Sequence, residues 1–405
     1  MRLTAAILLV TVVATALAAQ SKQSRQPNQA DPKKPSPTQV PGQPQEPQRA
    51  EFGVTSTSTL ALPFKRIWQH LTDSASQFAP TVDGSKILVP LAGGKVLCLE
   101  HQTGALIWSS EPGGIITAPL TITDAAALIA TRRIGPDGSD AGASIRAVDK
   151  ATGLTIWAHD YPRTFVSPLE AAGGKIYVGS ADGALYALSS SGGEILWKAD
   201  TQDQVRGRPL AIDNEVYFGS DDGALRAVEA QHGNLIWKIQ TGGKVASRPA
   251  ADEHALYFGS GDGYAYSVSR ETGAVRWRSR TGAAIEASLV LLAESLLVGS
   301  FDNFIYCLSR SSGDRIWKRR LENRIAASPI VEGDANLVAP LRSDYIAVFL
   351  NQDGRRVNLY QLEAEFEIVA EPVFSGGLLM LATNKGLVVA APIRPEPAPA
   401  TANKK

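Results

Sequence analysis

Short apolar stretches alternate with glycine-bearing polar turns over most of this chain, and the alternation repeats. The segment that ends near Trp237 contains four such stretches, VRGRPLAI, EVYFGS, ALRAVEA and NLIWKIQ. Short runs of β-branched and aromatic residues bounded by glycine turns are typical of antiparallel strands joined by tight hairpins. The segment therefore predicts a four-stranded meander. The body shows no strong helical periodicity, so an all-β fold is expected.

The tryptophans mark the repeat. The chain has seven, separated by 40, 49, 40, 40, 40 and 40 residues: Trp68, Trp108, Trp157, Trp197, Trp237, Trp277 and Trp317. A four-stranded unit with a period near 40 residues is typical of a β-propeller blade. Because each tryptophan holds the same place in its repeat, we expect all seven to pack between neighbouring blades. The longer spacing places the extra residues Thr131–Ser144 in one hairpin.

The register predicts eight blades over residues 60–394. Tyr360 is assigned as the substitute for an eighth tryptophan, with the same blade-docking role. The last repeat lacks a fourth strand, and the N-terminal stretch LPFKRIWQ is a fourth strand without a blade. Pairing the two closes the ring and removes exposed sheet edges.

The two ends of the chain differ from this body. Residues 1–19 have one arginine, an apolar run and a small-residue site at Ala16–Ala18, which predicts a secretory signal peptide, cleaved or kept as an anchor. Residues 20–59 are rich in proline and glutamine and predict a disordered tether, and residues 395–405 predict a short disordered tail. We expect a periplasmic protein, associated with the outer membrane, and not a lipoprotein, because no cysteine follows the apolar run.

Composition argues against several classes of function. The chain has 40 Lys and Arg and 40 Asp and Glu, and the surplus of bases lies in the two ends. A mildly acidic body lacks the positive footprint that nucleic-acid binding requires, so no nucleic-acid partner is expected. The two cysteines and five histidines show no metal-ligand spacing. We therefore predict no catalytic residue, no metal and no cofactor.

The sequences of the repeats diverge at the first, inner strand of each blade. Charged residues in this region are the candidate partner-binding residues: Arg206, Arg208, Arg248, Lys244, Arg324 and Glu286. Arginine at such a place calls for a carboxylate or a ligand. The alternative interpretation is pairing inside the ring, with Glu286, Asp200 or Asp203.

The repeats resemble a known family. The segments Ala147–Trp157 (AVDKATGLTIW) and Cys98–Trp108 (CLEHQTGALIW) resemble the tryptophan-docking repeat of the PQQ-like, or quinoprotein-like, propellers. Within that family the chain is most similar to the BamB group, accessories of outer-membrane β-barrel assembly. That group carries a Leu-Arg-Gly sequence on the face that meets the barrel protein. Here Val205-Arg206-Gly207 stands at the equivalent place, with valine for leucine, and Arg208 departs from the group's less basic pattern.

The resemblance implies a non-enzymatic scaffold that binds protein partners in the cell envelope, among them a β-barrel assembly protein. Two alternatives stay open. One is a PQQ-dependent dehydrogenase, although the chain has no adjacent cysteines of the kind many of those enzymes carry. The other is a propeller that senses a small molecule or a glycan at the mouth of its channel.

Overall fold

The structure, a computed structural model, describes residues 56–340 and 342–393, and these form eight antiparallel β-sheets arranged in chain order. The prediction of an all-β, eight-bladed propeller is confirmed. Seven sheets have four strands, as expected, and one has five. The predicted signal peptide, nearly all of the tether and the C-terminal tail lie outside the described residues. No helix in the described ranges has the length and hydropathy to cross a membrane.

The first four blades follow one another along the chain. Blade 1 contains β2 (Thr81–Asp83), β3 (Lys86–Pro90), β4 (Val96–Glu100) and β5 (Leu106–Ser110). Blade 2 contains β6 (Ile115–Ile116), β7 (Thr121–Ile122), β8 (Ala127–Ile134), β9 (Asp140–Val148) and β10 (Thr155–Tyr161). Blade 3 contains β11 (Glu170–Ala172), β12 (Lys175–Ser180), β13 (Ala184–Ser189) and β14 (Ile195–Asp200). Blade 4 contains β15 (Leu210–Ile212), β16 (Glu215–Gly219), β17 (Ala224–Glu229) and β18 (Leu235–Gln240).

The remaining blades repeat the same order. Blade 5 contains β19 (Ala250–Ala251), β20 (Ala255–Gly259), β21 (Tyr264–Ser269) and β22 (Val275–Arg280). Blade 6 contains β23 (Val290–Leu291), β24 (Ser295–Gly299), β25 (Phe304–Ser309) and β26 (Arg315–Arg320). Blade 7 contains β27 (Ile330–Glu332), β28 (Ala335–Val338), β29 (Tyr345–Leu350) and β30 (Arg356–Gln361). Blade 8 contains β31 (Val373–Ser375), β32 (Leu378–Thr383), β33 (Gly386–Pro392) and, from the other end of the chain, β1 (Phe64–Leu71).

The core lies between blades. The second and third strands of a blade are buried along almost their whole length, because neighbouring blades cover both of their faces. One apolar cluster, for example, joins Tyr217 and Trp237 of blade 4 to Leu256 and Phe258 of blade 5. The fourth strand has only its tryptophan side covered, and most of its other positions are exposed. The propeller thus has buried inner sheets and a solvent-facing rim of fourth strands.

The N-terminal strand closes the ring, as predicted. β1 pairs antiparallel with β33, from Phe64 opposite Pro392 to Leu71 opposite Gly386. The pairing gives blade 8 the fourth strand that its own sequence lacks. Closure joins the two ends of the propeller by a full strand of backbone hydrogen bonds.

Ordered contacts begin before the predicted boundary at residue 60. The Ser56 hydroxyl donates to Asp334 Oδ1 at 2.7 Å, and the Thr59 amide donates to Glu332 Oε2 at 2.8 Å. A short 3₁₀ turn, Thr59–Ala61, follows and is capped by the Ser58 hydroxyl. Residues 56–59 therefore lie on blade 7 and are not part of a free tether, because two carboxylates of that blade accept their hydrogen bonds.

Blade 2 departs from the four-stranded pattern. Its innermost position is divided between β6 and β7, which both pair with β8. The extra residues of this repeat lengthen the hairpin between β8 and β9, as the sequence predicts. Arg133 Nη1 fixes the hairpin by donating to Asp160 Oδ2 of β10 at 2.6 Å.

Candidate functional site

The tryptophans connect each blade to the next. The indole nitrogen of Trp237 donates to the carbonyl oxygen of Arg270 at 2.9 Å, and the indole ring covers Gly273 in the same turn of blade 5. Four other tryptophans make the same hydrogen bond, to Lys150, Ala230, Arg310 and Asn351: Trp108, Trp197, Trp277 and Trp317. With their rings packed under neighbouring blades, these side chains are not available as platforms for a ligand.

In blade 7 the docking residue differs from the one that the sequence predicts. Gly354 lies against the ring of Trp317, and the residue four positions later, where other blades have tryptophan, is Asn358 and not Tyr360. Asn358 Nδ2 donates to the Leu60 carbonyl at 3.2 Å and takes the place of an indole N–H. Tyr360 packs instead against Phe64, with 5.8 Å between ring centroids. Phe64 stands where other blades have glycine, so its ring leaves no flat backbone for an indole to cover.

A central cavity of about 570 Å³ is lined by every blade. One contributor from each of blades 1 to 8 is Phe78, Pro119, Pro168, Arg208, Arg248, Ser288, Ser328 and Glu371. These residues lie just before or at the start of the first strands, the region where the sequences of the repeats diverge. The cavity is the candidate functional site.

Arg206 reaches this cavity because its neighbours are fixed. Val205 is completely buried, and its amide donates to the Ser180 carbonyl at 3.2 Å. Gly207 runs so close to blade 5 that a Cβ there would lie 2.8 Å from the Ala246 carbonyl oxygen. With Val205 inward and the backbone of residue 207 against blade 5, the side chain of Arg206 faces outward and is 53% exposed.

Arg208 and Arg248 meet on one carboxylate. Arg208 Nε lies 2.8 Å from Glu170 Oε2, and Arg248 Nη2 lies 2.8 Å from Glu170 Oε1. The Glu170 side chain is only 10% exposed, so two arginines satisfy both of its oxygens. The three side chains together carry one net positive charge at the wall of the cavity.

The other candidates also have partners inside the ring. Arg206 Nε donates to Asp221 Oδ2 at 2.6 Å, and Lys244 Nζ lies 2.5 Å from Glu286 Oε1. The guanidinium of Arg324 lies 5.8 Å from the ring centroid of Phe301. The structure therefore brings Arg206, Arg208, Arg248 and Glu286 together at one cavity, while Lys244 and Arg324 are not among its lining residues.

Of the internal partners that the sequence suggests, only Glu286 is found. Asp200 pairs with Lys198 on its own outer strand at 2.8 Å, and Asp203 accepts the amide of Gln204. Sequence reasoning missed Glu170, although a signal was present: Glu170 stands thirteen residues after its tryptophan, where the next three blades have Leu210, Ala250 and Val290. A carboxylate at an apolar, buried position requires a cation, and two arginines supply it.

The described residues were found to include no cluster of metal ligands, and both cysteines lie outside the cavity lining. Over residues 56–340 and 342–393, no three His, Cys, Asp or Glu side chains lie close enough together to hold a metal ion. The turn carboxylates support loops instead: Asp262 Oδ2, for example, accepts the Gly242 amide at 2.9 Å. Cys98 and Cys307 are buried and unpaired, and burial raises the pKa of the Cys98 thiol to about 11, so the thiol stays protonated.

The lining of the cavity bears on PQQ, a planar quinone with three carboxylates. Such a ligand requires cations that are free to meet its carboxylates and an aromatic face on which to stack. Here both Arg208 and Arg248 already meet the buried Glu170, and Glu371 and Glu286 add negative charge to the lining. The described residues of the cavity do not fit this cofactor.

Comparisons with known proteins agree with the fold. The family profile described as outer membrane protein assembly factor BamB matches residues 141–292 and 261–394. The crystal structure of BamB from Moraxella catarrhalis aligns with a TM-score of 0.69 at 19% identity, covering 82% of this chain and 100% of that one. No curated protein matches the chain in sequence.

Two further structures have the same architecture. The computationally designed Ika8 protein aligns with a TM-score of 0.69 at 15% identity, covering 80% of this chain and 98% of that one. Quinohemoprotein alcohol dehydrogenase from Comamonas testosteroni aligns with a TM-score of 0.67 at 10% identity, covering 85% of this chain and 79% of that one. At these identities the likeness shows the fold alone.

Proposed function

The chain belongs to the family of the outer membrane protein assembly factor BamB, and from this premise we propose that it is a non-enzymatic propeller that binds a protein partner in the cell envelope. The proposed partner is a β-barrel assembly protein, and the proposed location is the periplasm, next to the outer membrane. The observation that carries the proposal is the guanidinium of Arg206, which lines the central cavity, is held by Asp221 and has a half-exposed side chain.

The chemistry of Arg206 suits protein recognition. Asp221 engages Nε and holds the side chain in one orientation, and more than half of the side chain remains open to solvent. The terminal nitrogens of a guanidinium present parallel N–H donors that match a carboxylate or the carbonyls of a partner loop. A side chain held in place before binding loses less entropy when the partner arrives. We propose that Arg208 and Arg248, steadied by Glu170, extend the same surface.

The proposal is tested by photo-crosslinking in intact envelopes. A photoreactive residue at Ala246, which lines the cavity next to Gly207, should form an adduct with a β-barrel assembly protein, identified by mass spectrometry. The same residue at Lys238, an exposed position on the outer strand β18, should not. Adding Arg206→Gln to the position 246 variant should weaken the adduct while the protein stays folded. Equal adducts at 246 and 238, or none at 246, would place the partner elsewhere, with the hairpin between β8 and β9 the next surface to examine.

The dehydrogenase alternative has its own assay. Purified protein incubated with PQQ and calcium, then offered alcohols or sugars, should show no oxidation above a heat-denatured control. Substrate-dependent oxidation would overturn the non-enzymatic proposal.

A second candidate function is the sensing of a small molecule or glycan. The observation in its favour is the volume of the central cavity, which falls within the range of small-molecule sites. A shift in melting temperature with a sugar or a dicarboxylate, abolished by Arg208→Gln, would favour sensing over protein binding.

A further inference from the structure

Positive charge is concentrated on one part of the rim. The outer strands of blades 5, 6 and 7 (β22, β26 and β30), which we call the basic edge, contain eight cationic residues and no acidic one: Arg276, Arg278, Arg280, Arg315, Lys318, Arg319, Arg320 and Arg356. The outer strands of blades 1 to 4 contain two lysines, Lys198 and Lys238, and two aspartates, Asp160 and Asp200, and the outer strand of blade 8, β1, adds Lys65 and Arg66 next to blade 7. The propeller thus has a strongly polarised rim.

The charges of the basic edge point toward solvent. Arg276, Arg280, Arg315 and Arg320 are exposed, and none forms an ion pair with another residue of the described ranges. Arg278 and Lys318 lie over the rings of Tyr264 and Phe304, at 5.0 and 4.5 Å from the ring centroids. Stacking on an aromatic ring orients such a cation and leaves its charge available to a partner.

Exposed aliphatic side chains lie among these cations. Val275 is 50% exposed, Ile316 53% and Leu359 47%, and each stands on one of the three strands of the basic edge. A surface that mixes lysine and arginine with aliphatic residues suits the boundary between lipid headgroups and acyl chains. The cations meet anionic headgroups there, and the aliphatic groups leave water.

Protection of an exposed sheet edge is the simpler explanation for such charges. It does not fit their distribution. The outer strands of blades 1 and 3 expose Leu106, Ile107, Ile195 and Leu196, and protection would place charges beside these residues first. These two outer strands together contain one lysine, whereas the outer strands of blades 5 and 6 contain seven cations.

The described chain begins on the same side of the ring. Ser56 is bound to Asp334 of blade 7, the blade that carries the last strand of the basic edge. The sequence before Ser56 contains the apolar run from Leu3 to Ala19 and a stretch in which bases outnumber acids. The net positive charge of that stretch adds to the attraction of the chain to an anionic surface.

We propose that the basic edge docks on the anionic headgroup surface of a lipid bilayer. The mixture of cations with exposed aliphatic side chains suits a lipid surface better than a nucleic acid, which offers phosphates but no acyl layer. A ring that rests on its rim holds its channel axis parallel to the membrane. The central cavity then faces a neighbouring protein embedded in the same membrane.

The experiment measures binding of the full chain to two kinds of vesicle, phosphatidylcholine alone and phosphatidylcholine mixed with phosphatidylglycerol. We expect binding to the anionic vesicles to exceed binding to the neutral ones by about tenfold or more at low salt, because each lysine or arginine near an anionic surface adds to the affinity. Raised salt should remove the difference. Equal binding to both vesicles would overturn the proposal, since apolar insertion of the leader alone would then explain it.

A matched pair of variants locates the surface. Arg278→Glu/Lys318→Glu changes the residue after tryptophan in blades 5 and 6, and Lys198→Glu/Lys238→Glu changes the same strand position in blades 3 and 4. Both alter the net charge equally. Only the first should lose the preference for anionic vesicles, at an unchanged melting temperature, and equal losses would overturn the proposal by showing an effect of net charge. If the first variant fails to fold, the fourfold variant Arg276→Gln/Arg280→Gln/Arg315→Gln/Arg320→Gln, on exposed side chains, tests the same surface with the same change of four in net charge. Retained lipid preference in that folded variant would exclude the basic edge.

Discussion

The indole ring of Trp237 lies directly over the backbone of Gly273 in the next blade. A Cβ built at Gly273 would lie 2.6 Å from Cε3 of that ring, and the φ angle of Gly273 is +71°. Two independent constraints therefore require glycine at this position, one steric and one conformational. The same contact joins Trp68 to Gly104, Trp108 to Gly153 and Trp317 to Gly354. Glycine lies four residues before six of the seven tryptophans, and this contact explains most of them, because the glycine lies under the tryptophan ring of the preceding blade. At Gly193 a Cβ would meet His159 and Tyr161 as well as Trp157.

The first prediction separates these two constraints. Gly174 has φ +73° and no atom within 4 Å of a built Cβ, so Gly174→Ala has only the backbone strain to bear, about 1–2 kcal/mol. Gly273→Ala must also displace the indole, which adds about 1–3 kcal/mol. Denaturation with urea measures both variants. Equal free-energy losses would mean that the indole moves away without cost.

The tryptophan side of the contact gives a second prediction. Trp237→Ala and Trp277→Ala should each lower the free energy of unfolding by about 3–5 kcal/mol, because both side chains are buried and large. Ile236→Ala, an exposed neighbour on the same strand, should change it by less than about 1 kcal/mol. A loss below about 1 kcal/mol for both tryptophans would contradict their role in docking the blades.

The blade count and the closing strand could be predicted from the sequence. A fixed period of strands and turns defines the number of blades, and it leaves one unpaired strand at each end of the chain to close the ring. The prediction failed at Asn358. Tyr360 was assigned because it is an aromatic residue near the expected position. The docking position is instead set by Gly354 and by the β-bulge of the fourth strand, which place Asn358 there. A polar amide replaces the indole there because the neighbouring segment, Leu60–Leu62, offers carbonyl acceptors.

The site was less predictable for a different reason. The sequence indicated which inner residues were charged but not which of them meet across the cavity. Glu170 is separated by 38 residues from Arg208 and by 78 from Arg248, and only the ring geometry brings all three together. The partners of a charge on an inner strand come from other blades, and no local pattern identifies them.

Ring closure gives a third prediction. Deleting residues 60–70 removes most of β1, leaves blade 8 with three strands and exposes the edge of β33. We expect aggregation and a lower melting temperature. Deletion of residues 20–50 is the control and should leave the melting temperature unchanged. A 60–70 deletion that melts like the wild type would contradict closure by β1.

A fourth prediction concerns charge reversal at the cavity. Arg208→Glu places a second carboxylate beside the buried Glu170, and like charges at this distance repel, so stability should fall by about 1–3 kcal/mol. Arg208→Gln keeps a hydrogen-bond donor, and Arg248 still pairs with Glu170, so its effect should be smaller. Thermal unfolding of the two variants measures the difference. If Glu170→Gln in the Arg208→Glu background restores no stability, the repulsion between the two carboxylates is not the cause.

The last prediction follows from a carboxylate that joins blades 5 and 6. Asp252 Oδ2 accepts hydrogen bonds from Arg310 Nη2 at 2.5 Å and from the Tyr257 hydroxyl at 2.9 Å. Burial raises the pKa of Asp252, but these bonds and those from the amides of His254 and Ala255 outweigh it and lower the pKa from 3.8 to about 2. A carboxylate whose pKa is lower in the folded state stabilises the fold above its unfolded pKa, and that contribution is lost as the pH falls through the folded pKa. The wild type should therefore exceed Asp252→Asn in free energy of unfolding by about 2 kcal/mol near neutral pH. The gap should close between about pH 4 and pH 2. Other carboxylates titrate in both proteins, so their effects cancel in the comparison. The free energies of unfolding are measured by urea denaturation at each pH. A difference between the two proteins that stays constant down to pH 2 would contradict the proposed link between Asp252 and Arg310.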